Sequence, residues 1–369
     1  MIEAENNSDI LDRLFAEKRI AIRRGRLFDN IPAPVASPFL ADRIEGMMLG
    51  LAIGDSLGNT SESLVPRERF RRFGEIRDYL PNRHAYGRRI GLPSDDTQLA
   101  FRTLDEFLEN GRFDPEKTAA RFCRERIYGI GSSVSEFRRR FNEGKLWYEC
   151  GPESAGNGAL MRIAPILIPH VVGPSPKLWV DTGLCALITH NDSASIASCL
   201  AFVDILWKLL GMTEAPPAGW WLETFLETIR DLETKNDYQT RGGDFPNFRG
   251  TLARFLETVL GGARERYTST LEACNSWYSG AYLLETVPSA LYILMNYAAD
   301  PEEAIVRAVN DTRDNDTVAA IVGAAVGALH GKKSLPQRWR AELSGKISAD
   351  DDGKVFEILE GVSKFLSAA

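Results

Sequence analysis

The stretch NDTRDNDTVAAIVGAAVGALHG, residues 310–331, places three aspartates within six positions directly before a run of small apolar residues. The apolar run predicts a buried helix, and its glycines recur at every fourth residue, at 323, 327 and 331. A second stretch, EGMMLGLAIGDSLG over residues 45–58, repeats this spacing with glycines at 46, 50, 54 and 58. Because each glycine costs about 1 kcal/mol relative to alanine inside a helix, the pattern predicts two central helices packed closely through their glycine faces.

Acidic residues stand at the ends of both glycine-rich stretches and in a third cluster. The first stretch runs into Asp55 and Glu62, and the second begins around Asp314, Asp316 and Thr317. The third cluster, PSDDTQLA, holds Ser94, Asp95, Asp96 and Thr97 at the predicted start of a helix. Helix capping explains one carboxylate at the start of each predicted helix. For each acidic cluster taken by itself, capping therefore stays open as an interpretation. If the clusters converge, their carboxylates repel one another, and they then predict a site for hard divalent cations, Mg²⁺ or Mn²⁺.

The composition of the whole chain is that of a globular protein. Its 369 residues are 44% hydrophobic and 26% charged, and no secretory signal opens the sequence. The five cysteines are odd in number and form no C-x-x-C pair, which argues against a disulfide framework and a zinc site. A net charge of -7 argues against general binding to nucleic acid. We therefore expect a cytoplasmic protein with no nucleic-acid partner and no membrane span.

Helical periodicity runs through almost the whole sequence. Segments such as LAFRTLDEFLEN and SASIASCLAFVDILWKLLG repeat apolar residues at helical spacing, and strand-like alternation is hard to find. These patterns predict an all-α fold with a single helical domain over residues 43–369, including a terminal helical piece near 354–366. Residues 1–42 are predicted to form a separate N-terminal extension. It consists of an amphipathic helix over residues 8–24 and an extended, proline-rich linker over residues 31–38.

Five motifs together resemble a known family. GMMLGLAIGDSLGNTSE, SDDT, GNGALMRIAP, THND and DNDTVAAIVGAAVGALHG occur in the order and spacing of the ADP-ribosylglycohydrolases, which include the dinitrogenase reductase-activating glycohydrolase. The resemblance covers about residues 43–331. It implies an all-helical domain around two Mg²⁺ or Mn²⁺ ions that removes ADP-ribose from modified protein side chains.

The resemblance also implies roles for individual residues. The implied metal ligands are Ser94, Asp95, Asp96, Asp314, Asp316 and Thr317. The implied catalytic residues are Glu62 and Asp96, either of which would position the attacking water. The implied contacts to ADP-ribose are Gly151, Ser154, Gly156, Asn157 and His190. For Arg162 a structural role is preferred, and for Tyr282 a core position and stacking on adenine stay open.

One departure from the family pattern concerns substrate choice. Many relatives carry two glycines before the last acidic motif, where this chain has Thr312 and Arg313. An arginine there could reach a phosphate or a target protein, or could narrow the pocket. The departure leaves the predicted metal site unaffected.

The predicted function is hydrolysis of the bond between ADP-ribose and a side chain, with arginine preferred over serine. The same motifs also fit a non-catalytic protein that binds ADP-ribose or a modified partner, and a phosphatase-like two-metal hydrolase. Some bacterial relatives resemble immunity proteins against ADP-ribosyltransferase toxins. Under that hypothesis residues 1–42 form an arm that binds the toxin through an apolar stripe at Ile10, Leu11, Leu14, Phe15 and Ile22 and a basic flank. The alternative is that this segment packs on the domain.

Overall fold

The regular structure of the chain is almost entirely α-helical. A computed structural model describes residues 6–348, 351 and 353–368. The α-helices are α1 Asn7–Ala16, α2 Leu40–Gly58, α3 Pro66–Phe73, α4 Asp95–Asn110, α5 Pro115–Arg124, α6 Ser132–Asn142, α7 Trp147–Cys150, α8 Lys177–Leu187, α9 Ser193–Gly211, α10 Ala218–Ile229, α11 Leu252–Leu260, α12 Ala263–Arg266, α13 Thr270–Ser276, α14 Leu283–Tyr297, α15 Pro301–Asp311, α16 Asn315–His330, α17 Gln337–Glu342 and α18 Lys354–Ala368. The strands β1 Tyr238–Gln239 and β2 Arg249–Gly250 form one short antiparallel pair. The predicted all-α fold is confirmed.

The two glycine-rich helices, α2 and α16, cross in direct backbone contact. A Cβ built on Gly50 would lie 2.1 Å from the carbonyl oxygen of Gly323, and one built on Gly323 would lie 2.1 Å from that of Gly50. One turn along, a Cβ on Gly327 would lie 2.0 Å from the carbonyl oxygen of Gly46. Side chains at these positions would push the helices apart, so the period-four glycines set the close approach of the central pair. The predicted glycine-face packing is confirmed.

The remaining helices surround this pair. Helix α16 also packs against α9, α14 and α15, and α2 against α4. Helix α9 is long and apolar enough to cross a membrane by length and composition, but 89% of it is buried inside the protein. The predicted terminal helical piece is α18, which packs on α4 through an edge-to-face pair of Phe365 and Phe107 with ring centroids 5.1 Å apart.

The N-terminal segment differs from the prediction in its helix length. The helix predicted over residues 8–24 ends at Ala16, because Lys18 turns the chain with a left-handed φ of 56°. The backbone then pairs with a distant segment, where Ile22 forms a β-bridge with Glu233 and Arg23 donates its amide to Leu232 at 2.9 Å. Residues 1–5 of the predicted extension lie outside the described residues.

The apolar stripe of the N-terminal segment is buried against the domain. Leu11 and Leu14 are both 0% exposed, and α1 packs on α8. The proline-rich stretch is extended, as predicted, and is held by the Trp207 indole, which donates to the Ala33 carbonyl at 2.8 Å. The structure therefore follows the packing alternative, and the stripe is not free to bind a toxin. The hypothesis of a detached arm is corrected, since Leu11, Leu14 and Ile22 belong to the common core and Ile10 and Phe15 are partly buried against it.

Replacing Leu14 by alanine tests how far the N-terminal segment stabilises the fold. We expect Leu14→Ala to lower the free energy of unfolding by about 2 to 5 kcal/mol, because the side chain is fully buried. Urea denaturation followed by circular dichroism measures this change. Ile31→Ala is the matched control, since Ile31 lies in the same segment but is 65% exposed. Equal stability of Leu14→Ala and the parent protein would contradict an integral role for the segment.

Candidate active site

The ends of three helices converge at the proposed site. Asp55 lies in the last turn of α2, while α4 and α16 both begin there. The close helix crossing extends to this end, because a Cβ on Gly58 would lie 2.4 Å from the Cα of Asp316. The glycine-lined contact thus brings together carboxylates that lie far apart in the sequence.

Asp55 is the centre of the first group of acidic residues. It is 0% exposed and accepts hydrogen bonds from the hydroxyls of Ser94 and Thr97 and from the Ser94 amide at 2.9 Å. Carboxylate oxygens of Asp55, Asp96 and Asp316 lie within 4.8 Å of one another. The sequence motifs identify Asp55 as an acidic residue near the clusters but imply no ligand role for it. The one sequence feature that points to a role for Asp55 is its position at the end of a glycine-rich helix.

A second group of carboxylates shares Asp316 with the first. Oxygens of Glu62, Asp314 and Asp316 also lie within 4.8 Å of one another. Glu62 reaches solvent, whereas Asp314 and Asp316 are buried. Burial, followed by the nearby charges of Asp314 and Asp55, raises the pKa of Glu62 to about 7. The two groups of three carboxylates therefore share Asp316.

The residues fit the divalent cations that the sequence predicts. Oδ1 of Asp96 is buried and has no hydrogen-bond partner among the described residues. Burial raises the pKa of Asp96 well above its usual range, and the charge of Asp55 raises it further. The pKa of Asp316 is raised well above its usual range by burial and then by Asp314. These carboxylates ionise only with difficulty unless positive charge lies beside them, and their oxygen donors suit Mg²⁺ or Mn²⁺.

The other predicted ligands lie beside these two groups. Asp95 belongs to neither, and its carboxylate faces Gly129, where a Cβ would lie 2.8 Å from Asp95 Oδ1. Ser94 caps α4 and directs its hydroxyl to Asp55. Thr317 is buried with its Oγ1 3.9 Å from the sulfur of Met161. All six predicted ligands therefore border one site, with Asp96, Asp314 and Asp316 at its centre.

The loop predicted to bind ADP-ribose is attached to the acidic cluster. Asn157 donates its amide to Asp314 and to Thr286, the latter at 2.9 Å. Gly156 forms a β-bridge with Tyr282, which fixes the loop to the start of α14. Within the loop, Ser154 Oγ accepts from the Gly156 amide at 3.3 Å.

Gly151 and His190 support this loop from inside the protein. A Cβ on Gly151 would lie 2.4 Å from the Leu187 carbonyl oxygen, so no larger residue fits there without movement. His190 is 2% exposed, and burial together with the charge of Arg162 lowers its pKa to about 3. The imidazole is therefore neutral at physiological pH. Arg162 donates to the Thr189 hydroxyl at 2.6 Å and is 0% exposed, in agreement with the preferred structural role.

Sequence reasoning missed a strained turn that holds Asp314. Tyr278 and Ser279 adopt left-handed φ values of 80° and 49°, which non-glycine residues rarely do. The Ser279 carbonyl accepts the amides of Arg313 and Asp314, both at 3.1 Å. The Arg313 guanidinium lies 4.2 Å from the centroid of the Tyr278 ring. The left-handed turn could not be recognised from the sequence, because neither Tyr278 nor Ser279 is a glycine.

Comparison with known proteins identifies the family of the chain. A family model described as ADP-ribosylglycohydrolase matches residues 36–364. The chain belongs to the ADP-ribosylglycohydrolase family. It is thus an enzyme of the glycosidic-bond hydrolase class. The match to the family model begins at residue 36, inside the predicted N-terminal extension of residues 1–42.

Individual relatives of this family are similar over most of the chain. The ADP-ribosylarginine hydrolase Tri1 of Pseudomonas putida is 27% identical over 81% of this chain and 73% of its own length. The ADP-ribosyl-[dinitrogen reductase] glycohydrolase of Rhodospirillum rubrum is 24% identical over 86% of this chain and 95% of its own. A solved structure, an ADP-ribosylglycohydrolase-related protein complex, has a TM-score of 0.65 and 25% identity, and the match covers 88% of this chain and 98% of that one. The ADP-ribosylglycohydrolase fold thus extends over nearly all of the chain.

Proposed function

We propose that this chain hydrolyses the glycosidic bond between ADP-ribose and the arginine side chain of a modified protein, with Mg²⁺ or Mn²⁺ at its acidic cluster. One observation carries the proposal. Two carboxylate groups share Asp316 and lie directly beside the loop that contains Asn157. A cation pair and a sugar phosphate would then occupy neighbouring positions.

The carboxylates that hold the cations follow from the two groups. Asp55, Asp96 and Asp316 would hold one cation, and Glu62, Asp314 and Asp316 the other. Ser94, Asp95 and Thr317 border these groups and would complete the coordination or orient the ligands. When bound, the cations would supply positive charge that orients the ribose hydroxyls and lowers the pKa of a water.

The protein's own residues would position the reactants. Glu62 reaches solvent, so its carboxylate can accept a proton from the attacking water. Asp96 is the alternative in that role, although its complete burial favours a ligand role. The loop of Gly151, Ser154, Gly156 and Asn157 would hold ADP-ribose, and neutral His190 would support the loop from behind without adding charge.

The choice of arginine rests on the named relatives, one of which is an ADP-ribosylarginine hydrolase. We expect the protein with Mg²⁺ to release ADP-ribose faster from an ADP-ribosyl-arginine peptide than from an ADP-ribosyl-serine peptide of the same sequence. Mass spectrometry of free ADP-ribose measures both rates, and a chelator provides the metal-free control. Preference for the serine peptide would overturn the choice of bond. Binding of both peptides without any release would favour the non-catalytic alternative.

Protection against an ADP-ribosyltransferase toxin would arise, under this proposal, from hydrolysis of the modified target. Occlusion of the toxin by residues 1–42 finds no support, because Leu11 and Leu14 are buried in the domain.

A further inference from the structure

Two basic elements flank Glu62 on the protein surface. The first is α3, and the second is the loop of residues 82–91. Their exposed arginines are Arg67, Arg71 and Arg72 on α3 and Arg83, Arg88 and Arg89 on the loop. We call these six side chains the basic rim.

Both elements are fixed close to the acidic site. Helix α3 begins at Pro66, four residues after Glu62. The buried Arg69 anchors it by donating to the carbonyls of Thr312 at 2.8 Å and Val309 at 2.9 Å, directly before the aspartates of α16. The rim of α3 is therefore held in place relative to the site.

The loop is tied to the residues immediately before Glu62. Asn82 donates to the Thr60 hydroxyl at 3.2 Å, and Asn59 donates to the Leu92 carbonyl at 2.8 Å. Arg89 lies three residues before Leu92. Both basic elements are therefore attached to the segment that contains Glu62, and a macromolecule that presents a side chain to Glu62 would approach them.

The partners of the rim arginines in the described part of the chain are uncharged: Arg83 donates to His84, Arg88 donates to the Ala85 carbonyl, and Arg72 lies over the Phe73 ring. None of the six arginines forms an ion pair with a carboxylate of the described residues. Elsewhere exposed arginines do pair, as Arg338 does with Asp78 at 2.6 Å and Arg77 with Glu303 at 2.7 Å. The rim also exposes two large aromatic side chains, Phe70 at 65% and Tyr86 at 95%. A concentrated positive patch in a chain of net charge -7 is more than an ordinary solvated helix face.

We propose that the basic rim recognises an acidic surface on the modified protein around its ADP-ribosylated side chain. The inference rests on the proposed function, which makes the macromolecule a protein. Complementary charge would steer the target toward the site and lower KM, while the chemical step at the carboxylates stays the same. The contact would weaken with salt because both surfaces are exposed.

The test compares a rim variant with a matched variant far from the site. The rim variant is R67E/R89E, with one reversal on each element. The control is R112E/K364E, which makes the same change in net charge. Helix α4 runs from the site at Asp95 to Asn110, about 22 Å away, and Arg112 follows it. Lys364 is exposed on α18, next to the Phe365 that packs on Phe107 of α4.

The substrates are ADP-ribosyl-arginine peptides flanked by aspartates or by lysines, and ADP-ribosyl-arginine without flanking residues. We expect the parent protein and the control to prefer the aspartate peptide by about tenfold in kcat/KM at low salt, mainly through KM. The preference should disappear in R67E/R89E and in about 0.5 M NaCl. Release from unflanked ADP-ribosyl-arginine should be equal in all three proteins. Loss of preference in the control, or its persistence in R67E/R89E, would overturn the proposal.

Two further measurements separate the possible failures. If the parent protein releases no ADP-ribose from any substrate, the proposed function fails. Fluorescence anisotropy of the labelled aspartate peptide then still tests the rim, since the parent must bind it more tightly than R67E/R89E does. Competition with single-stranded RNA tests the other class of polyanion. RNA that displaces the aspartate peptide at equal or lower concentration would refute a protein-specific surface.

Discussion

Asp316→Asn is expected to reduce release of ADP-ribose by about a thousandfold or more. Asp316 is the only carboxylate common to both groups of three, so its replacement weakens both proposed cation positions at once. The amide keeps the size of the side chain and removes its charge. Steady-state release from an ADP-ribosyl-arginine peptide in saturating Mg²⁺ measures the loss, and calorimetric titration with Mn²⁺ measures the metal affinity.

Asp311→Asn is the matched control for this loss. Asp311 is a buried aspartate in the same sequence stretch, but it bonds to Thr270 and belongs to neither carboxylate group. We expect this variant to retain its affinity for Mn²⁺ and most of its turnover. Parental turnover of Asp316→Asn in the presence of chelator would refute the two-cation mechanism.

Asp316→Asn should also change how the stability of the metal-free protein depends on pH. Burial, and then the charges of Asp314, Glu62 and Asp55, raise the pKa of Asp316 in the folded state. The folded protein therefore binds more protons than the unfolded chain above about pH 4, and its stability falls as pH rises toward the folded pKa. In chelator, the melting temperature of the parent should fall more steeply as pH rises above about 4 than that of Asp316→Asn. Identical slopes would show that Asp316 does not titrate in this cluster.

Gly50→Ala is expected to cost more than about 3 kcal/mol of unfolding free energy. In an isolated helix the same change would stabilise by about 1 kcal/mol. In this protein the new Cβ would lie 2.1 Å from the Gly323 carbonyl oxygen, which is rigid helix backbone and cannot rotate away. The helices must separate, and both lose contact along their length. Urea denaturation measures the loss.

Gly211→Ala is the control for helix propensity. Gly211 is the last residue of α9, and a Cβ there would meet no atom within 4 Å. We expect this change to be neutral or slightly stabilising. Gly50→Ala also carries a second readout, since separation of α2 and α16 would move Asp55 away from Asp316. Parental stability together with parental Mn²⁺ affinity in Gly50→Ala would contradict the close helix crossing.

The sequence determined much of this protein through local periodicity. Glycines at every fourth position can only line one face of a helix, so the close pairing of α2 and α16 was predictable. The acidic clusters could also be recognised, because the helical pattern shows where two helices begin. Ser94 and Asp96 lie at one of these starts, and Asp314 and Asp316 lie at the other. The all-α class and α18 followed from such periodicity, whereas the family followed from the resemblance of five ordered motifs.

Only the tertiary structure decided which distant residues meet. Asn157 bonds to Asp314, which lies 157 residues away, and no local pattern encodes that contact. The strained conformation of Tyr278 and Ser279 persists because the amides of Arg313 and Asp314 donate to the Ser279 carbonyl, not because of the two residues' own preferences. The apolar stripe of α1 looked available in the sequence, since periodicity shows that a face is apolar but not what covers it. Periodicity acts over a few residues, whereas the partners of buried polar groups and apolar faces are chosen by packing across the whole chain.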